Sequence, residues 1–237
     1  ISSSVSAADS VIDLSNYFVM PGMIDCHTHV LLQGDITSED YDVQVLKESI
    51  PYRTIRATKS AEKSLMNGFT TIRDLGTEAA GFADLYVKKA INKVVISGPR
   101  MIVSTLGMNT TGHYPIKASD YAWELKLPKG VIEITGADEA RRAVRQQIEQ
   151  GADWIKVYAD RGYIRLADGS FRSIPNFTTE ELKAIADETI LSRKKLAAHA
   201  MTRDGILAAI NAGASTIEHG SGMDEECMRV MAEKGIF

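Results

Sequence analysis

Apolar and polar positions along this chain change period in blocks. Short apolar runs read as strands, and between them lie longer stretches in which apolar residues recur at helical spacing. A glycine stands repeatedly at the junction: Asn67-Gly68 before residues 69–73, Gln150-Gly151 before 154–158, Ala212-Gly213 before 215–218, and Lys234-Gly235 before Ile236-Phe237. Glycine just past a helix end adopts the left-handed conformation without a Cβ clash, so it closes the helix and turns the chain into the next strand. Further strands are predicted at 100–104 and 195–198, and the run from Met20 to His29 opens the series. Helices are predicted over 52–66 and 138–149. A third follows Thr178, where Thr178 and Glu181 offer a capping box and Leu182, Ile185, Ala186 and Ile190 form an apolar stripe.

Strands alternating with helices imply a parallel sheet with right-handed crossovers. Helix-to-strand links are short, whereas the strand-to-helix links 30–51, 105–136 and 159–177 are long. In a (β/α) barrel the long loops after the strands build the functional face. Six strands and the start of a seventh fit such a barrel better than an open doubly wound sheet. No glycine-rich phosphate fingerprint follows the first strand, which argues against dinucleotide binding. Residues 1–20 differ in character: 11–15 and 18–20 read as short β segments that lack a sheet to join.

Composition narrows the picture. At 237 residues with 44% apolar content, the chain holds one large domain or two smaller ones with an ample core. A net charge of −4 gives no basic patch to attract nucleic acid or an anionic membrane. No apolar run approaches the roughly 18 residues of a membrane span. The chain begins at Ile1 without a charged-then-apolar leader. The expectation is a start inside a longer polypeptide or a signal peptide already removed, with a cytoplasmic or a periplasmic or secreted location both open. Cys26 and Cys227 are too few for a disulfide framework and read as reduced, packed thiols. Asn109-Thr110-Thr111 and Asn176-Phe177-Thr178 fit glycosylation acceptors.

The candidate chemistry lies at strand ends. His27 and His29 are two residues apart at the end of the first strand, so both project to one side and make half of a metal site. His199 ends the fifth strand and His219 the sixth, so four of the five histidines lie at the same end of one barrel. Lys156 sits inside the apolar strand Trp154-Ile155-Lys156-Val157-Tyr158. A buried ammonium must be paired, neutral or modified. Burial lowers a lysine pKa, and a neutral amine can take up CO2 to form a carbamate, a two-oxygen anion able to bridge two cations.

Five motifs carry a resemblance over nearly the whole chain: Pro21-Gly22-Met23-Ile24-Asp25-Cys26-His27-Thr28-His29, Gly68-Phe69-Thr70-Thr71-Ile72-Arg73-Asp74, Gly151-Ala152-Asp153-Trp154-Ile155-Lys156, Ala198-His199-Ala200 and Thr216-Ile217-Glu218-His219-Gly220. In these the sequence resembles the amidohydrolase superfamily, and within it the imidazolonepropionase-like and Xaa-dipeptidase (prolidase-like) metal-dependent amidohydrolases. The resemblance implies a (β/α)8 TIM-type barrel, here truncated after six or seven strands (residues 21–237), with residues 1–20 the remnant of a small β-sandwich domain. It implies two divalent ions, most often zinc. His27, His29 and carboxylated Lys156 would hold one, and Lys156, His199 and His219 the other. His113 resembles the family's histidine that approaches the substrate carbonyl, and with it Tyr114 is a candidate substrate contact. The family's catalytic aspartate ends strand eight, whereas this chain stops as strand seven begins, so the expectation is most of a longer enzyme. Relatives also often carry tyrosine two positions after the fifth-strand histidine, where this chain has Met201.

The function so implied is hydrolysis of an amide bond in a dipeptide or N-acyl amino acid by a hydroxide bridging two ions. Its partner is a small-molecule amide, with neither nucleic acid nor membrane; exposed edges of a truncated barrel leave a homo-oligomer open. Two alternatives stand beside it: a mononuclear cyclic-amide hydrolase or deaminase, and an inactive barrel fragment that binds metal. Arg161, Arg165 and Arg172, in the long link after Lys156, are candidates for a substrate carboxylate or plain solvated charge. Asp74 reads as support for a ligand or as a strand-end ion pair. Tyr121 and Trp123 read as a substrate wall or as packing of their loop.

Overall fold

The computed structural model describes residues 11–34, 40–112 and 118–237. In chain order the elements are β1 (Met23–Thr28), α1 (Tyr41–Lys47), α2 (Ile50–Met66), β2 (Phe69–Asp74), α3 (Ala83–Asn92), β3 (Arg100–Val103) and β4 (Gly107–Thr110). There follow β5 (Val131–Ile134), α4 (Ala137–Gln150), β6 (Trp154–Tyr158), β7 (Asp160–Arg165), β8 (Phe171–Pro175) and α5 (Thr179–Leu191). The chain ends with β9 (Lys195–Ala200), α6 (Arg203–Ala212), β10 (Thr216–His219) and α7 (Glu225–Lys234).

The architecture is α/β with parallel sheets. One sheet has the order β1-β2-β3 and the other β10-β9-β6-β4-β5. They are successive parts of one wall, because β3 pairs with β2 while β4 pairs with β6. The Asp153 amide also donates to the Val103 carbonyl at 2.9 Å, which lays the start of β6 beside the end of β3. Thr105, with φ 62°, makes the bend between β3 and β4. The staves β1, β2, β3 with β4, β6, β9 and β10 thus follow the expected barrel order, and the barrel is not closed.

Helix ends follow the local signals. Thr178 and Glu181 form the reciprocal capping box at the start of α5. Gly151 (φ 110°) and Gly213 (φ 115°) close α4 and α6 in the left-handed conformation. The long links hold more structure than periodicity suggested: α1 in 30–51, β4 and β5 in 105–136, and the antiparallel β7–β8 hairpin in 159–177. Residues 11–20 form no strand; they run exposed, with a turn from Leu14 to Tyr17, because no second strand lies beside them among the described residues. At the other end Ile236-Phe237 is not a strand either, although the Ile217 amide donates to the Phe237 carbonyl at 2.7 Å.

Two smaller expectations are corrected. Cys26 is exposed, so only Cys227 is a packed thiol. Asn109 and Asn176 are both buried and cannot present a side chain for glycosylation.

The main core lies between β4, β6, β9 and the helices α4–α7, and Ile185 of α5 is fully buried in it. Replacing Ile185 by Ala removes buried methylenes from close packing and is expected to cost about 2–5 kcal/mol, against about 1 kcal/mol for Thr178→Ala at the cap. Urea unfolding of both variants checks this order, and equal losses would contradict the assignment of Ile185 to the core.

Candidate metal centre

The inward ends of β1, β6, β9 and β10 bring their functional side chains to one rim. The His27 and His29 rings lie 5.2 Å apart between centroids, His27 and His219 4.8 Å, and His199 and His219 4.6 Å. Lys156 is 1% exposed, and its charge acts on His29, His199 and His219 alike. All five predicted ligand positions therefore converge.

Hydrogen bonds fix how the first two imidazoles face the centre. His27 Nδ1 lies 2.9 Å from Glu218 Oε2, and His29 Nδ1 lies 2.9 Å from the Gly76 carbonyl oxygen. A carboxylate and a carbonyl only accept, so both Nδ1 atoms carry the proton. When both rings are neutral, both Nε2 atoms present lone pairs, and these face each other at 3.2 Å. Two lone pairs so placed repel unless a cation lies between or beside them. This is the arrangement of a histidine pair whose tautomers are set for metal by acceptors behind it.

Electrostatics favour neutral donors at the rim. Burial, followed by the Lys156 charge, pushes His199 down to about 3. Burial and then the neighbouring His27 push His219 down to about 4. Burial also lowers His29, only partly offset by Glu78. Burial brings Lys156 down to about 8. Its Nζ has no hydrogen bond or ion pair among the described residues and lies 5.2 Å from the Tyr158 ring centroid. Among the described residues no three His, Cys, Asp or Glu side chains already stand as a closed coordination set. The donor chemistry nonetheless fits divalent metal: imidazoles, two of them with fixed tautomers, around an amine without a hydrogen bond or ion pair among the described residues.

Behind the imidazoles stands a support that the sequence reading missed. Glu218 accepts from His27, from the Thr216 hydroxyl at 2.6 Å and from Arg73 at 2.8 Å. Burial alone would raise its pKa, but His27, Thr216 and Arg73 hold the carboxylate ionised, at about 2. Arg73 in turn donates to the Cys26 carbonyl at 2.7 Å and stacks 4.4 Å over Trp154. Strict alternation along β10 would put Glu218 and His219 on opposite faces. His219 takes a left-handed backbone, φ 72°, which redirects its ring to the centre.

A second support serves His29. Asp74 Oδ1 accepts from the Val30 amide at 2.8 Å and the Thr28 hydroxyl at 3.4 Å, holding the residues on either side of it. Asp74 therefore braces the two neighbours of His29 and is in no ion pair among the described residues. Its pKa lies well above the usual carboxylate range, through burial and the nearby Asp84. Glu78 accepts from Tyr158 at 2.9 Å and Tyr41 at 2.6 Å and lies 3.7 Å from His29 Nδ1.

The remaining candidates separate from this cluster. His113 and Tyr114 lie outside the described residues. Arg161 and Arg165 both lie on β7, and neither is tied to the histidines by a hydrogen bond or ion pair among the described residues; Arg161 Nε is buried without a partner there. Trp123 is largely exposed, and so packs its loop no better than it walls a site. A tyrosine the sequence reading passed over, Tyr163 of β7, hydrogen-bonds His199 Nε2 and the Asp160 carboxylate.

Comparison with known proteins agrees with this geometry. Residues 18–237 match the amidohydrolase family. The chain belongs to it. It is 35% identical over 233 residues to the ochratoxinase of Aspergillus niger, covering 92% of this chain and 46% of that protein. The crystal structure of A. niger ochratoxinase superposes with a TM-score of 0.74 at 32% identity, covering 92% of this chain and 51% of that one. A Xaa-Pro dipeptidase crystallised with methionine bound in its active site gives a TM-score of 0.72 at 31% identity, over 91% of this chain and 52% of that one. The chain spans about half the length of the curated relatives it matches.

If Glu218 sets the His27 tautomer, Glu218→Gln is expected to weaken zinc binding about 10–100-fold. Competition titration with a zinc chelator measures this, and an unchanged affinity would remove Glu218 from the centre.

Proposed function

We propose that this chain is the metal-binding part of an amide hydrolase that cleaves a dipeptide or N-acyl amino acid using two divalent ions, zinc foremost, and a carbamate on Lys156. The observation that carries the reading is the pair of His27 and His29 Nε2 atoms aimed at each other beside a buried Lys156 that has no hydrogen bond or ion pair among the described residues. The relatives named ochratoxinase and Xaa-Pro dipeptidase support hydrolysis of an amide bond as the reaction class.

His27 and His29 would hold one ion, His199 and His219 the other, and the carboxylated Lys156 both. Bound there, divalent ions supply a water that ionises near neutral pH and a Lewis acid for the scissile carbonyl. The protein's own task is to keep its donors neutral and aimed. Glu218 and the Gly76 carbonyl hold the Nδ1 protons of His27 and His29, so the neutral rings offer Nε2. The apolar strand around Lys156 excludes water from the amine and favours the unprotonated form, whose lone pair can attack CO2. His113 is assigned to the carbonyl oxygen of the substrate, where a positioned donor is worth about 10²–10³ in rate. A small-molecule amide is thus the partner, with a homo-oligomer left to hydrodynamic measurement.

The position of Lys156 favours the two-ion reading over the mononuclear cyclic-amide hydrolase, because one lysine faces histidines from both ends of the cluster. The full-length protein, loaded with zinc in bicarbonate buffer, should hydrolyse dipeptides or N-acyl amino acids and hold close to two ions per chain. Chelation should abolish turnover and zinc restore it. Lys156→Ala should lower kcat/KM at least about 100-fold and bring metal content to one ion or fewer. One ion per wild-type chain, or robust turnover by Lys156→Ala, would contradict the proposal.

A further inference from the structure

A cavity of about 470 Å³ lies between the tip of the β7–β8 hairpin and the loops that follow β9 and β10, with Ser221, two residues past His219, in its lining. Its volume is in the range of small-molecule sites. Both of its walls hang from Met201 and Thr202, the second and third residues after His199. On the hairpin side, Asp160 is 1% exposed and accepts from the Met201 amide at 3.0 Å, the Thr202 amide at 2.9 Å and the Thr202 hydroxyl at 2.7 Å. Ser173 of β8 adds a hydroxyl contact to Thr202 at 2.6 Å. This approach needs Gly205, where a Cβ would stand 2.2 Å from Asp160 Oδ2. On the other side the Gly222 amide donates to the Met201 carbonyl at 2.7 Å, and a Cβ on Gly222 would come within 2.7 Å of that oxygen. The hairpin also reaches the rim itself, through the Tyr163 hydroxyl on His199. The cavity is therefore fixed relative to the ligands at His199 and His219.

Its lining sorts into apolar surface and one cation without a hydrogen bond or ion pair among the described residues. Leu166, Phe171 and Met223 supply the apolar part. Arg203 is taken up by Asp224 at 2.8 Å, by Asp204 at 3.5 Å and by Glu226. Asp224 is further engaged as the cap of α7, accepting from the Cys227 amide at 2.9 Å. Arg172, across the cavity on β8, has no hydrogen bond or ion pair among the described residues. A guanidinium beside an apolar pocket matches one chemical pattern: a carboxylate on the carbon that also bears a large apolar side chain.

We propose that this cavity is the specificity pocket for the carboxy-terminal side of the substrate. A bulky apolar or aromatic side chain seats among Leu166, Phe171 and Met223, while Arg172 pairs with the adjacent α-carboxylate. The inference rests on the amide-hydrolase reading but has a binding readout that does not need turnover.

The test uses the full-length, zinc-loaded protein with N-acetyl-L-phenylalanine, N-acetyl-L-phenylalaninamide and N-acetylglycine. Wild-type protein should bind or turn over the phenylalanine acid in preference to the other two. Arg172→Ala should raise KM, or the calorimetric Kd, for the acid by about tenfold or more and so collapse its advantage over the carboxamide. Arg172→Lys should recover part of it. Met223→Trp, which fills the pocket, should lower the preference for phenylalanine over glycine with Arg172 intact. Acid and carboxamide affected equally by Arg172→Ala, or an unchanged side-chain preference in Met223→Trp, overturns the pocket even if amides are hydrolysed. Arg172-dependent binding of the acid without hydrolysis of any amide upholds the pocket and overturns the function. Neither binding nor hydrolysis overturns both.

Discussion

A buried carboxylate held ionised against the cost of its burial is the constraint on which this centre depends. Glu218 stays charged because Arg73, Thr216 and His27 all donate to it. That charge forces the His27 proton onto Nδ1 and frees Nε2. The same contacts tie β1, β2 and β10 together across the interior, in a wall whose β1 and β10 edges are not paired to each other. Removing one partner of such a buried pair typically costs about 3–5 kcal/mol, because the other charge is left without compensation. Ligand orientation and the shape of the rim therefore share one set of interactions.

From that anchor the polar layers rise toward the rim. Arg73 stacked on Trp154 lies beneath. Above it come Lys156 and the four imidazoles, and beyond these the hairpin and the loops after β9 and β10. Polar groups at each level are satisfied mainly by groups on other strands, so the site depends on β-sheet register. Parallel pairing of β6 with β9 sets Lys156 opposite Ala197 and Tyr158 opposite His199. A slip of one residue would turn the amine out of the centre.

Much of the frame was legible because its signals are local. The Thr178 capping box and the glycines after α4 and α6 each act within a few residues, and the strand runs around Lys156 and His199 are short and apolar. The meeting of the four histidines at one rim was legible from the motifs that place them at strand ends. Glu218 was not, since its role follows from the left-handed backbone at His219 that lets two consecutive residues serve one centre. The β7–β8 hairpin was read as loop because its strands bury little apolar surface. Asp168-Gly169 at its turn, flanked by Tyr163, Leu166 and Phe171, was the signal that could have found it. The segments 11–15 and 18–20 have strand-like composition, but propensity cannot replace a missing partner strand.

The central claim is that His27, His29, Lys156, His199 and His219 enclose two cations and share them through the lysine. Anomalous diffraction at the zinc edge, on crystals of the full-length protein grown with zinc and bicarbonate, tests it most directly. The account predicts two peaks, one beside His27 and His29 and one beside His199 and His219, with continuous density from Lys156 reaching both. A single peak, or a Lys156 side chain directed away from the imidazoles, would contradict it.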